Sequence, residues 1–89
     1  MIFMVRYEID QAHRKAAIER FLATGGLPPE GATLLHRWHS ADGAYGVAII
    51  ETDDVQTVAK LSVDWNDLIS IDARPALDDE GMGAVLTAG

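Results

Sequence analysis

Residues 34–54 read LLHRWHSADGAYGVAIIETDD, and this stretch decides the fold. Thr33–His39 and Tyr45–Glu51 are two runs with the length and the apolar, β-branched and aromatic content of strands. Ser40–Gly43 between them supplies a turn, and Asp42-Gly43 is its hairpin signal, since glycine accepts the positive φ such a turn needs. After Glu51 the chain changes character. Asp53 reads as the N-cap of a helix, with Gln56 in the capping-box position three residues later.

Working outward, the helix that follows places Val55, Val58, Ala59, Ser62 and Trp65 on one face, with Leu61 beside them and Asn66-Asp67 as its end. Leu68–Ala76 reads as a further strand, and Pro75 puts it at a sheet edge, where a missing amide donor is tolerated. Toward the amino terminus, Met1–Tyr7 reads as the first strand. Asp10 is the expected cap of a helix over Ala12–Ala23, whose apolar face carries Ala17, Ile18, Phe21 and Leu22. Gly25 or Gly26 stops that helix, and Leu27-Pro28-Pro29-Glu30-Gly31 is a connector.

The element order is βαββαβ. Short connections and right-handed crossovers then favour an α+β, ferredoxin-like fold: a four-stranded antiparallel sheet with two helices on one face. This domain covers residues 1–77. Residues 78–89 form an acidic and then Gly/Ala-rich tail, which reads equally as a short helix, an arm onto a neighbour or a loose end. Period-two alternation sets Leu34, His36 and Trp38 on one face of the second strand and Leu35, Arg37 and His39 on the other. Whichever set faces away from the helices is left uncovered, and an open sheet face with large apolar side chains is what a homodimer buries.

Composition narrows the function classes. The chain has 89 residues, 48% of them hydrophobic, which is generous for so short a domain and fits burial against a second copy. Its net charge of −7, with the Lys and Arg scattered, excludes the basic stripe that nucleic acid requires and disfavours an anionic membrane surface. There is no cysteine, hence no disulfide, thiolate nucleophile or sulfur-ligated metal. The apolar opening Met1–Val5 is too short for a signal peptide or a membrane span, so a cytoplasmic location is expected.

Several motifs together resemble a known family: Trp38-x-x-Ala41-Asp42-Gly43, Glu51-Thr52-Asp53-Asp54, Trp65-x-Asp67-Leu68, the opening Met1-Ile2-Phe3-Met4-Val5 and the Leu27-Pro28-Pro29-Glu30-Gly31 loop. The chain is similar, over residues 1–77, to small bacterial proteins grouped as domain of unknown function 3303. The resemblance implies a ferredoxin-like, dimeric α+β barrel. It implies no reaction and hands over no catalytic residues.

Among candidate sites, His36 and His39 invite a metal reading, but their spacing within a strand sends the two side chains to opposite faces. Neither a metal nor any other cofactor is expected. The sharper constellation is His36 with Trp38 and Tyr45, joined by Asn66 or Asp67 near the sheet end. There His36 would act as base toward a phenolic proton while Trp38 and Tyr45 bind the ring. The plainer alternative makes Trp38 and Trp65 core residues and His36 a half-buried polar group. Asp53 and Asp54 are explained by the helix start. Two function classes follow. One is a homodimer that binds a small organic molecule, aromatic ones included, between sheet and helices, extending to cofactor-free monooxygenase-like chemistry. The other is a non-catalytic structural or protein-interaction module.

Overall fold

The computed structural model describes residues 1–88; Gly89, the last residue of the tail, lies outside them. The strands are β1 (Ile2–Glu8), β2 (Thr33–His39), β3 (Tyr45–Glu51) and β4 (Ser70–Pro75), and the helices are α1 (Arg14–Thr24), α2 (Val55–Trp65) and α3 (Asp79–Thr87). In space the strands lie in the order β2-β3-β1-β4, each antiparallel to its neighbour. With α1 and α2 both on one face, this is the ferredoxin-like arrangement. Pro75 lies on the β4 edge strand, as its lack of an amide donor requires.

The helix-covered face of the sheet carries Phe3, Val5 and Tyr7 from β1 and Gly46, Ala48 and Ile50 from β3, paired across the register. Phe3, Val5, Ile50 and Val58 are the buried core, with Leu34, Ala48, Leu61, Ile71 and Ala73 packed against them. From α1, only Ala17 is buried. A core of this size leaves much apolar surface between sheet and helices to be covered in some other way.

Helix ends depart from the sequence reading in instructive places. The helix expected from Ala12 with Asp10 as cap begins at Arg14 instead, after His13. Asp10 is spent on the preceding turn, where its Oδ1 accepts from the His13 amide at 3.0 Å and pairs with His13 Nδ1 at 2.7 Å. At the other end Gly25 adopts φ 71° and its amide donates to the Phe21 carbonyl, so the expected glycine stop is realised there. The cap of α2 is Asp54 rather than Asp53: Asp54 Oδ1 accepts from the Gln56 amide at 2.9 Å. Thr52 Oγ1 in turn accepts from the Asp54 amide, and the exposed Asp53 pairs with the Met1 amino group. On α2 itself Val58 is buried, whereas Val55 in the first turn is exposed. Leu68 and Ile69, expected in the last strand, donate their amides to the Trp65 carbonyl and belong to the turn that leaves α2.

β2 carries the largest correction. Leu34 pairs with Ile50 and His36 pairs with Ile49, so Leu35 has no partner and forms a β-bulge. Strict alternation fails there by one residue. Leu34 therefore shares the helix-covered face with Arg37 and His39, while His36 and Trp38 share the open face. Among the described residues, no helix is long and apolar enough to cross a membrane.

Candidate functional site

Between the sheet and the two helices lies a cavity of about 260 Å³. Its walls are largely carbon: Val5, Ala48, Ile50 and Ile71 from the sheet, Ile18 and Phe21 from α1, Leu61 and Trp65 from α2. The polar side chains that reach it are Tyr7, Arg37 and His39.

Tyr7 and His39 form the centre of this polar group. Their strands are separated by β3, and Gly46 of β3 is the register partner of both. The Tyr7 ring lies over Gly46, and its hydroxyl is hydrogen-bonded to His39 Nδ1. A Cβ on residue 46 would stand 2.7 Å from the Tyr7 hydroxyl, so a side chain here would break the contact. The His39 ring sits between two aromatic neighbours, with its centroid 5.7 Å from Tyr7 and 5.6 Å from Phe21, the latter in an edge-to-face arrangement. Burial pushes the Tyr7 phenol above its ordinary pKa of 10.0, against an opposing pull from the Arg37 charge. The phenol is thus protonated at neutral pH.

Either tautomer of His39 leaves the pair with one donor and one acceptor for a ligand. If Tyr7 donates to Nδ1, then Nε2–H and the phenolic lone pair remain. If Nδ1–H donates to Tyr7, then Nε2 is free as an acceptor and the phenol can donate. That suits a hydroxyl or an enolisable carbonyl held against an apolar wall.

Two arginines position the surroundings. Arg37 donates through Nη1 to the Gly26 carbonyl at 2.6 Å and through Nη2 to the Gly25 carbonyl at 3.2 Å. It lies over the Phe21 ring at 5.0 Å and so ties the end of α1 to β2. Its charge is therefore committed to the protein. Arg20 grips Asp67 with two bonds, of 2.7 and 2.8 Å, and donates to the Asp64 carbonyl at 2.9 Å. Arg20 also stands 5.5 Å from the centre of the Trp65 ring, which fixes that wall of the cavity. These bonds hold the Asp67 carboxyl below its ordinary range.

His36, Trp38 and Tyr45 share one face of the sheet, but it is the face away from the cavity. His36 pairs with Ile49 and Trp38 with Val47, which puts both on the open face, and Tyr45 is on that face of β3 two residues before Val47. Trp38 is 71% exposed and Tyr45 60% exposed, so neither is a core residue. The bulge at Leu35 is the reason. Asn66 and Asp67 lie at the far end of α2 and do not join them. His36 and His39 sit on opposite faces. Among the described residues, no group of three or more histidines and carboxylates is placed to hold a metal ion.

Sequence reasoning missed Tyr7, Phe21 and Arg37 as cavity residues and named the wrong histidine for the cavity side. One signal was available: an isolated glycine, Gly46, inside an otherwise apolar strand, which marks a close approach.

No protein of curated function matches this sequence. Solved structures of similar fold include Rv0793 from Mycobacterium tuberculosis, at 13% identity and a TM-score of 0.49, covering 88% of this chain and 96% of that one. Another is a Deinococcus radiodurans protein provisionally assigned as an antibiotic biosynthesis monooxygenase, at 12% identity and a TM-score of 0.47, covering 88% of this chain and 94% of that one. One family profile matches residues 1–89 in full, α3 included, in agreement with the motifs that flank the hairpin and with the βαββαβ topology. The chain belongs to the family described as domain of unknown function DUF3303.

Proposed function

We propose that this protein binds a small, apolar, ring-containing molecule between the sheet and the helices, and orients a hydroxyl or carbonyl of that molecule against Tyr7 and His39. The observation that carries the reading is the cavity itself: about 260 Å³, walled by carbon, with a hydrogen-bonded phenol–imidazole pair on its lining. Ligand sites have this composition, many apolar groups for affinity and few polar ones for orientation. The volume is below the ~300–1,000 Å³ of drug-sized sites, so one or two rings is the fitting size.

His39, not His36, is then the candidate base. In the tautomer whose Nδ1–H donates to the Tyr7 oxygen, its free Nε2 is the atom that takes a phenolic or enolic proton. An enzyme built this way would oxidise a bound phenol with dioxygen and no cofactor: one oxygen atom becomes a ring carbonyl, the phenolic oxygen becomes the other, and the second oxygen atom leaves as water. We assign His36, Trp38 and Tyr45 to a homodimer contact, since exposed aromatic and aliphatic side chains on a sheet face favour association.

The test uses Trp65 as reporter in a Trp38→Phe background, with a naphthol as probe and native mass spectrometry of the purified protein beside it. Saturable quenching that Ala48→Phe abolishes and Tyr7→Phe weakens several-fold is the expected result. Absence of saturable quenching, with no retained small molecule in the mass spectrum, would return the chain to the interaction-module reading.

A further inference from the structure

We propose that α1 is a hinged flap over the cavity, latched by the bonds between Arg20 and Asp67, and that this latch sets how fast a molecule enters and leaves. This rests on the binding reading above and says how the cavity is reached.

Of the two helices that cover the sheet, only α2 is built into the core. Its Val58 belongs to the buried cluster with Phe3, Val5 and Ile50, its Leu61 packs against that cluster, and the helix rests on β4. α1 contributes no side chain to the cluster. Its one buried residue is Ala17, and among the described residues no strand or helix packs broadly against it. What α1 covers instead is the cavity, which it lines with Ala17, Ile18 and Phe21. Ile18 lines that space and is still 47% exposed, so a single side chain separates cavity from solvent there. Segments with so little buried carbon open locally, at a fraction of the free energy of global unfolding.

Both ends of α1 are fixed to the sheet, and both flanks can turn. Ahead of it, the Ile9 amide donates to the Ala44 carbonyl of the hairpin at 2.7 Å. Behind it, Arg37 of β2 holds the Gly25 and Gly26 carbonyls. Gly25 and Gly26 are consecutive left-handed residues, with φ of 71° and 61°, a backbone freedom that only glycine has. At the opposite end a polar cleft of about 270 Å³ lies among Asp10, His13, Asn66 and Asp67. The start of α1 therefore borders open space rather than packed carbon. A helix pinned at its ends and barely packed along its length moves as a flap, through φ/ψ changes in the few residues at each end.

One side chain holds the flap down. Arg20 donates to both carboxylate oxygens of Asp67, at 2.7 and 2.8 Å, and to the Asp64 carbonyl at 2.9 Å. Among the described residues no other hydrogen bond or ion pair joins α1 to α2 or to the turn that follows it. The two-pronged geometry is the strong form of such a contact. Yet Arg20 and Asp67 are 34% and 57% exposed, so water and salt compete for it. The latch is made whether the cavity is empty or filled. It therefore weights the closed state equally in both, and changes the rates of passage while leaving affinity alone.

The experiment uses the full chain with and without Asp67→Ala, an exposed change outside the cavity lining, both in the Trp38→Phe background. Amide hydrogen exchange is read residue by residue without ligand, and naphthol entry and exit are followed by stopped-flow quenching of Trp65. Without Asp67→Ala, amides of residues 17–21 are expected to exchange at least tenfold faster than those of residues 58–62, with little dependence on denaturant. Asp67→Ala is expected to speed the α1 amides by about threefold or more, the effect of losing a latch of this kind. Entry and exit should rise together by a like factor, with affinity held within twofold, and high salt should bring the chain that keeps Asp67 toward the same rates. α1 amides that exchange no faster than those of α2 overturn the flap. So do rates that Asp67→Ala leaves unchanged, or an affinity lost through the exit rate alone. In each of those cases saturable naphthol binding leaves the binding reading standing. Fast α1 exchange over a cavity that takes up no naphthol supports the flap and removes the binding reading instead.

Discussion

Tyr7 and His39 lie on strands that are not neighbours, and they touch only because both face Gly46 across the register. A Cβ at that position would meet the Tyr7 ring at 2.7 Å and the Trp38 carbonyl oxygen at 2.5 Å, and the latter belongs to backbone that cannot step aside. Gly46→Ala is therefore expected to destabilise the fold by about 1–3 kcal/mol, the usual range for overpacking. Gly83→Ala is the control: a Cβ there meets nothing within 4 Å, and the change is expected to be neutral or to stabilise α3 by about 0.5–1 kcal/mol. Chemical denaturation of the two variants against wild type measures the contrast.

The Tyr7 phenol supplies an alkaline prediction. Burial raises its pKa above the ordinary 10.0, so the neutral form is the one the fold favours. Sign follows from that: the contribution to stability is intact below pH 10.0 and declines as pH rises through the folded value. A tyrosinate absorbance titration is expected to show a component above that pH which disappears in Tyr7→Phe.

Asp67 supplies the acid one. The bonds from Arg20 hold its carboxyl below the ordinary 3.8, so its contribution is present above that value and is lost as pH falls through the folded one. In Arg20→Met the acid limb of the stability curve is expected to flatten. Because the pair is exposed, added salt should flatten it in the wild type too. Trp65 emission, read across the same titration, is expected to move with the loss of Arg20 from above its ring.

The bulge yields a prediction that runs against ordinary intuition. Removing one residue from a strand normally sends every side chain beyond it to the opposite face. At Leu35 the extra residue is the unpaired one, so its deletion restores a regular ladder with Leu34, Arg37 and His39 still on the cavity side. The deletion variant is expected to fold and to keep the Tyr7–His39 contact, whereas deletion of His36 together with Leu35 should abolish it. Tyrosine titration and ring chemical shifts of His39 report the difference.

Strand and helix order were legible because they rest on local chemistry. Asp42-Gly43 forces a hairpin, Gly25 ends α1, and Pro75 belongs on an edge wherever the strand is placed. The site was not legible for the complementary reason. A bulge at Leu35 has no glycine or charge to announce it, since it is set by how β2 meets Ile49 and Ile50 of β3. One uncounted residue exchanged His39 for His36 and put Trp38 on the open face. Tyr7 was hidden in an apolar opening strand, and its meaning depends on Gly46 and His39, both more than thirty residues away. The caps slipped by smaller amounts, because neighbouring polar groups compete for the same amides: Thr52, Asp53 and Asp54 at α2, Asp10 and His13 at α1.

Of the buried apolar side chains, Val5, Ala17 and Ile50 line a carbon-walled space that they do not fill. A molecule seated there becomes part of the hydrophobic core, and its binding free energy becomes folding free energy. By mass action an occupant at a hundred times its dissociation constant adds about 2.7 kcal/mol to the unfolding free energy. In so small a domain an increment of that size raises the melting temperature by roughly ten degrees or more. The protein's own heat stability is thus a gauge of occupancy, and a melting screen across small ring compounds tests the proposed binding without any assay for a reaction.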